Sequence, residues 1–426
     1  MAKPTLALIP ASQGSKLFSV LPSSGVGDFD FSRGSAATRI NSQGLIENVA
    51  SGQSRLDYPL IDGVVNGCPS VLLEPQRTNL VTYSEDFSNP NWTKTVSNIT
   101  SNAIISPDGS LNADKLIPSA SNNIHKIGRE VGSVTGDYTL SIFAKKGEYK
   151  NILLWDDNLS EGIGVNLDDL SVFRNVGNEG YKIENYGNGW VRISLILNYS
   201  AQAIRYAIYV YNNSNEITFT GNGTDGLYIW GAMAEEGSYP TSYIKSNSGS
   251  ATTRSAETAT GAGDATTFND SEGVLMAEMS NIANDGTFKF ISLSDGTLDN
   301  VVWIYYRSDN NAINFRVLSS GSSSFDQIYV TENSTNFNKL ALKYKENDFS
   351  AWVNGFEVLT NSSGLTFSSE TLNTIDFSRS DGTNNFYGKA KQVQYYNTAL
   401  TDSELEQLTS WISFTDMANG QLYTIE

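Results

Sequence analysis

The sequence predicts an all-β protein: a loop-rich N-terminal segment, two antiparallel β-sandwiches and a short C-terminal helix. Short stretches of period-two alternation recur between turn-forming residues from Asn79 onward. Gly, Ser, Thr and Asn are abundant between these stretches, and helical spacing of useful length appears only after Thr401. No heptad pattern is present, so no coiled coil is expected.

Residues 28–87 fit neither strand nor helix periodicity over any length, so this run should be an ordered loop structure stitched by side chains. Arg33, Arg39, Arg55 and Arg77 offer planar forks of donors. Asp28, Asp30, Glu47, Asp57 and Glu74 can accept from them, so the segment is expected to carry its own ion-pair partners.

From Asn79 to Ile244 the chain reads as the first sandwich. In Trp190 to Leu197, Val191, Ile193, Leu195 and Leu197 share one face, and Trp190, Arg192 and Ser194 share the other, which reads as a covered or oligomeric surface. In Ile204 to Tyr211, Ile204, Tyr206, Ile208 and Val210 oppose Arg205, Ala207, Tyr209 and Tyr211. Further strands are expected at 138–144, 151–155, 165–167 and 227–232.

Residues 247–267 are nearly free of large apolar side chains and read as a linker. Beyond it strands recur at 274–279, 288–294, 301–307, 312–318, 339–345 and 391–396. In Lys339 to Lys345, Leu340, Leu342 and Tyr344 point inward and the lysines outward, as in a sheet with one wet side. Asn354-Gly355 supplies the two positive φ angles of a type I′ hairpin turn. Thr401 and Glu404 have capping-box spacing and should start a helix running to about Ser410. The expected domains are 1–78, 79–246 and 268–426, with 247–267 between the last two.

Composition narrows the function. The 426 residues have a formal net charge of −18, which repels nucleic-acid phosphates and acidic membranes and leaves neutral sugars or proteins as the expected partners. Cys68 is the single cysteine, which excludes an intrachain disulfide, and reads as a small buried hydrophobe. No apolar run approaches the roughly 18–20 residues of a membrane span, and no signal-peptide core follows Met1.

Read as strings, SVLP, GDF, FSRGSAATR, GLIE, RLDY, CPSVLLEPQRTNL and TYSEDFSN, over about residues 8–95, resemble the N-terminal module of tailed-phage virion proteins. These are the head-fibre or tail-fibre-like proteins of phages infecting Bacteroidetes and marine bacteria. NLVTYSEDFSNPNW, DGSLNADKL, YTLSIFAKKGE, GNGWVRIS and LYIWGAMAEEGSYPTSYI look like their carbohydrate-binding-type jelly rolls. FYGKAKQVQYYNTALTDSELEQLTSW resembles the close of concanavalin A-like and laminin-G-like sandwiches. The resemblance implies a virion surface protein made in the host cytoplasm without a signal peptide and released by lysis. It also implies docking on other virion proteins through residues 1–78, a homo-oligomer with a trimer favoured, host-surface polysaccharide as partner, and a structural calcium with Glu85, Asp86 and Asp225 as candidates.

Three functions compete: a glycan-binding appendage, a purely structural cement protein, and a polysaccharide depolymerase. Hydrolysis of a sugar bond needs two carboxylates roughly 5–10 Å apart. The strand 274–279 offers only Glu278, and Glu235 and Glu236, being adjacent, would point to opposite faces. A Ser-His-Asp mechanism would rest on His125, the only histidine, and is not expected. No catalytic residue is assigned and no zinc spacing is present. Flat aromatic faces beside Asn, Asp and Arg suit pyranose rings. The candidates are Trp155 followed by Asp156, Asp157 and Asn158; Tyr209 and Tyr211; and Trp303 and Tyr305 near Arg307, Asp309 and Asn310. The competing reading packs each ring between the sheets.

Overall fold

The computed structural model describes residues 2–9, 11–309 and 311–420, and these are folded as 34 strands and two short helices. The expected all-β class and C-terminal helix are present. A second short helix, Phe414–Gly420, follows the first. No helix among the described residues is long and apolar enough to cross a membrane.

The first sandwich is one eleven-stranded sheet folded over on itself. Two long strands, Asn122–Lys145 and Trp190–Tyr211, pair with each other and bend from one layer into the other. Bulges between Val131 and Ser133 and between Val134 and Gly136, with Gly136 and Ala201 at positive φ, let them bend. Trp190 to Leu197 and Ile204 to Tyr211 are thus one strand rather than two. The alternation places Val191, Ile193, Leu195, Leu197, Ile204, Tyr206, Ile208 and Val210 in the core. Trp190 and Arg192, on the other face, are also buried. Trp190 packs with Ile46 of the N-terminal segment, and Arg192 donates to the Thr241 carbonyl.

The second sandwich faces an eight-stranded sheet with a five-stranded one. In sheet order the larger runs Phe356–Asn361, Phe349–Val353, Asn338–Lys345, Glu272–Asn281, Gly388–Tyr396, Ser70–Leu73 and Leu56–Asp57, with Leu6–Leu8 also on Gly388–Tyr396. The smaller runs Ser322–Val330, Ala312–Ser319, Val301–Tyr306, Lys289–Ser294 and Thr374–Asp376. Asn354 and Gly355 turn the expected hairpin at φ 51° and 92°. Thr401 caps the helix Asp402–Thr409 with a complete capping box. Leu340, Leu342 and Tyr344 face the core, but the opposite face is not wet: Leu405 and Leu408 of the helix pack over Ala341 and Trp352.

Three expectations are corrected here. Residues 1–78 are not a separate module: Leu6–Leu8 and Ser70–Leu73 are strands of the second sandwich, paired with Gly388–Tyr396. Residues 247–267 do not act as a linker, because Thr252–Arg254 pairs with Arg77–Asn79, and Thr258–Thr260 pairs with Phe29–Ser32. Too poor in large apolar side chains to form a core of its own, the stretch adds Ala259 and Ala262 to one supplied by distant segments. Cys68 is exposed, since it follows Gly67 in the turn before Ser70–Leu73.

One buried carboxyl gives the first sandwich a pH signature. Asp114 accepts the Phe87 and Asn102 N–H groups at 3.0 and 2.9 Å, and burial pushes its pKa up to about 6. Above the ordinary carboxylate value of about 4 the unfolded chain releases this proton while the fold keeps it, so the group's contribution to stability falls as pH rises to about 6. From pH 4.5 to 7 the native chain should lose on the order of 2 kcal/mol more stability than Asp114→Asn. Parallel denaturant titrations at the two pH values measure this, and equal losses would refute it.

Candidate functional site

The Asn151–Asp156 and Trp190–Tyr211 strands pair Trp155 with Ala207, and Leu153 with Tyr209. This register puts Leu153, Trp155, Ala207, Tyr209 and Tyr211 on the outer face of the sheet, in an apolar cluster separate from the core. The rings lie outside the sandwich rather than between its layers, yet they are buried: Trp155 and Tyr209 are each 8% exposed and Tyr211 4%. The Arg174 guanidinium lies 4.8 Å from the Trp155 ring centroid, and the Lys126 ammonium 4.9 Å from that of Tyr209. Lys126 donates to Asp157 at 2.5 Å and to the Tyr209 hydroxyl at 3.0 Å, and that hydroxyl donates to Asp157. Burial raises the Tyr209 pKa, with the Asp157 carboxylate adding to it. Asn158 lies in the following turn and donates to the Ala203 carbonyl, while the buried Asp156 accepts from Tyr199 and from the Arg205 N–H. The structure therefore brings Trp155, Asp157, Tyr209 and Tyr211 together under a basic roof and leaves Asn158 in a structural bond.

A second aromatic cluster covers the outer face of the five-stranded sheet. Trp303, Tyr305 and Arg307 share that face by alternation, and Phe290 pairs with Tyr305 across the sheet. Phe290 stacks on Tyr305 at 4.1 Å and 13°, and meets Trp303 edge-on at 5.3 Å. Phe290, Trp303 and Tyr305 are buried, at 5%, 5% and 6% exposed, and only Phe288, at the rim, is open at 37%. Trp303 Nε1 donates to Ser380 Oγ, and Arg316 lies 5.7 Å from the Trp303 ring. Arg307 donates to Asp309 at 2.7 Å on the exposed edge. Asn310 lies outside the described residues. Phe288 and Phe290 are the members sequence reasoning missed, although their spacing around Lys289 already put them on one strand face.

Glu85, Asp86 and Asp225 do not form the expected metal set. Glu85 is held by Lys245, Asn247 and the Tyr243 hydroxyl, and Asp86 accepts from Ser88 and Asn89. Asp225 sits in a separate turn that is closed by Asn222. No cluster of three ligating side chains occurs among the described residues. Glu278 accepts from Gln392 at 2.8 Å, and the buried Glu235 accepts from Thr241. His125 is fully buried, with its two ring nitrogens against the Val96 and Phe219 carbonyls, so neither is free to serve as a base.

The most consequential residues sequence reasoning missed are Arg254 and Glu257, in the stretch read as a linker. Glu257 Oε1 accepts from Arg33 at 2.7 Å and from Arg55 at 2.9 Å, and its Oε2 accepts from Arg55 and from the Glu74 N–H. Glu74 meets Arg55 at 2.9 Å and Arg254 at 2.8 Å. Burial raises the Glu74 carboxyl, but the Arg254 and Arg55 guanidiniums outweigh it and hold the group well below the usual carboxylate range. The signal was an opposite-charge pair three residues apart in a run whose one other charged residue is Asp264.

No protein-family model matches the chain, and no curated protein matches it. Among solved structures, the Ruminococcus gnavus IT-sialidase CBM40 bound to α2,3-sialyllactose is 16% identical, with 34% of this chain and 86% of that one covered, at a TM-score of 0.30. Domains LG4-5 of the mouse laminin α1 chain are 10% identical over 66% of this chain and 90% of that one, at 0.24. Trypanosoma rangeli sialidase in complex with sialic acid is 10% identical over 93% and 78%, at 0.28. Likeness at this level bears on neither ligand nor activity.

Proposed function

We propose that this chain is a non-enzymatic surface protein of a tailed-phage virion, of the head-fibre or tail-fibre-like kind, that binds glycans through the outer face of its second sandwich. The carrying observation is the exposed Phe288 ring at the end of an aromatic strip whose buried members, Phe290, Tyr305 and Trp303, lie on the outer face of the sheet, with Arg307 and Asp309 on the exposed edge. Rings beside polar forks suit the apolar faces and hydroxyls of a sugar. The virion assignment rests on the resemblance of residues 8–95. The first sandwich is read as structural, because Trp155, Tyr209 and Tyr211 are all buried, whereas the second strip ends in the exposed Phe288 ring.

Each aromatic contact contributes about 0.5–1.5 kcal/mol beyond burial, so a single copy binds weakly. Display of many copies raises avidity by about 10²–10⁴. A glycan array probed with the full chain on multivalent beads should retain at least one host-type polysaccharide. Phe288→Ala and Arg307→Ala should each reduce retention by about fivefold, roughly 1 kcal/mol. If the array stays empty, or both variants bind like the native chain, the proposal fails.

A further inference from the structure

Ser322–Val330 is the last strand of the five-stranded sheet, and its outer edge is regular and unprotected. Open edges invite pairing with another chain, and proteins blunt them with bulges, charges, proline or short strands. The other edge strands of the two sandwiches are blunted in these ways. Register shifts break the pairing of Ser97–Ile105, Val172–Val176 and Phe356–Asn361. Gly180–Asn185 carries Lys182 and Glu184, and the rest are two or three residues long. From Phe325 to Val330, by contrast, the register is unbroken and there is no proline, glycine or lysine. Ile328 and Val330 are 46% and 65% exposed.

The ladder shows which backbone groups this edge offers. The Thr331 N–H donates to the Asn311 carbonyl, so Tyr329, Gln327 and Phe325, at every second position back, bond inward to Ala312–Ser319. Asp326, Ile328 and Val330 therefore turn their N–H and C=O groups away from the sheet. Ser324, the next in that series, already gives its carbonyl to the Asn361 side chain at 2.7 Å. Charge then selects the strand that fits. Asp326 is the one charged residue from Phe325 to Val330 and lies 3.4 Å from Arg316, so this edge is locally neutral in a chain of net charge −18. An antiparallel second copy that sets Ile328 against Ile328 and Asp326 against Val330 uses all three open positions on both strands. Centring the pair on Asp326 would oppose two carboxylates, and centring it on Tyr329 would set Asp326 against Glu332. Centring it on Gln327 would need the occupied Ser324 carbonyl.

We propose that two copies of this chain join antiparallel through residues 326–330, about a two-fold axis at Ile328, so that their five-stranded sheets become one of ten strands. This differs from the trimer that the resemblance implies. Ile328 and Val330 share the outer face with Tyr305 and Arg307, in rows that run through Asn314 and Ala312. Both aromatic strips then face the same way, yet the join uses none of their residues and does not rest on glycan binding. Five residues a side make a small, weak interface, so light scattering and sedimentation of the full chain should show monomer and dimer in exchange below about 100 μM. Ile328→Lys sets two ammonium groups against each other on the axis and should weaken the dimer at least about tenfold. Phe356→Lys, on the bulged edge, should leave it unchanged, and matching thermal unfolding shows that both variants fold. With Cys68→Ser as background, nitroxide labels on Ile328→Cys should show strong spin–spin broadening, because directly opposed residues lie about 5.5 Å apart. Labels on Val330→Cys should not, being offset from their own copy by about 14 Å along the strands. A monomer at about 100 μM, a trimer, a dimer that survives Ile328→Lys, or broadening stronger at Val330→Cys than at Ile328→Cys overturns the proposal.

Discussion

Glu257→Ala is expected to destabilise the protein by about 3–5 kcal/mol, because it leaves buried guanidiniums without their counter-ion. Three arginines, Arg33, Arg55 and Arg254, and two acids, Glu74 and Glu257, meet where the N-terminal segment and residues 247–267 join the first sandwich at Thr241 and Ser242, and every side chain among the five is at most 3% exposed. The set already holds one more cation than anion. Removing Glu257 takes partners from Arg33, from both sides of the Arg55 fork and from the Glu74 N–H. Glu257→Gln keeps the shape but turns an amide N–H toward donors, so most of the loss should persist. Denaturant unfolding measures the change, and a double-mutant cycle with Arg33→Ala should give a coupling above about 1 kcal/mol. A loss below about 1 kcal/mol for both Glu257 variants would mean that the network is replaceable packing. Acid should act on the same network: Glu74 ionises far more readily folded than unfolded, so its contribution is complete above the ordinary carboxylate value of about 4 and fades as pH falls below it.

Local geometry was legible in the sequence, because local geometry is set by neighbours. Alternation in Ile204 to Tyr211 assigned every side chain to its face, Asn354-Gly355 gave the hairpin, and Thr401 with Glu404 gave the helix start. What those faces meet was not legible. Alternation placed Trp155 and Tyr209 opposite the core residues, but their covers, Arg174 and Lys126, come from other strands. The Arg33–Glu257 bond spans 224 positions, and nothing local marks Glu257 as its acceptor rather than the nearer Glu47 or Asp30. The aromatic strip was half legible: Trp303 and Tyr305 alternate on one strand, while Phe290 joins them only through the pairing of Lys289–Ser294 with Val301–Tyr306. The N-terminal boundary failed for a related reason, since a two-to-four-residue strand carries too little periodicity to reveal its partner.

The isolated segment 268–426 should therefore not fold, although its sequence reads as a complete sandwich. The core of that sandwich includes Leu6, Leu8, Leu17, Phe29, Phe31, Val71 and Leu73, all from residues the fragment lacks. Burying one such side chain is worth about 1.5–3 kcal/mol, so the seven together contribute about 10–20 kcal/mol. A domain's whole net stability is only about 5–15 kcal/mol. The fragment would also present Gly388–Tyr396 as an open edge, because Leu6–Leu8 and Ser70–Leu73 occupy that side in the full chain. Expressed alone, it should aggregate or be digested within minutes by a protease that leaves the full chain intact. Co-expression with residues 1–267 should restore a soluble complex, since it returns both the missing core side chains and the edge strands. A cooperative thermal transition from the fragment alone would show that the N-terminal strands decorate the second sandwich without completing it.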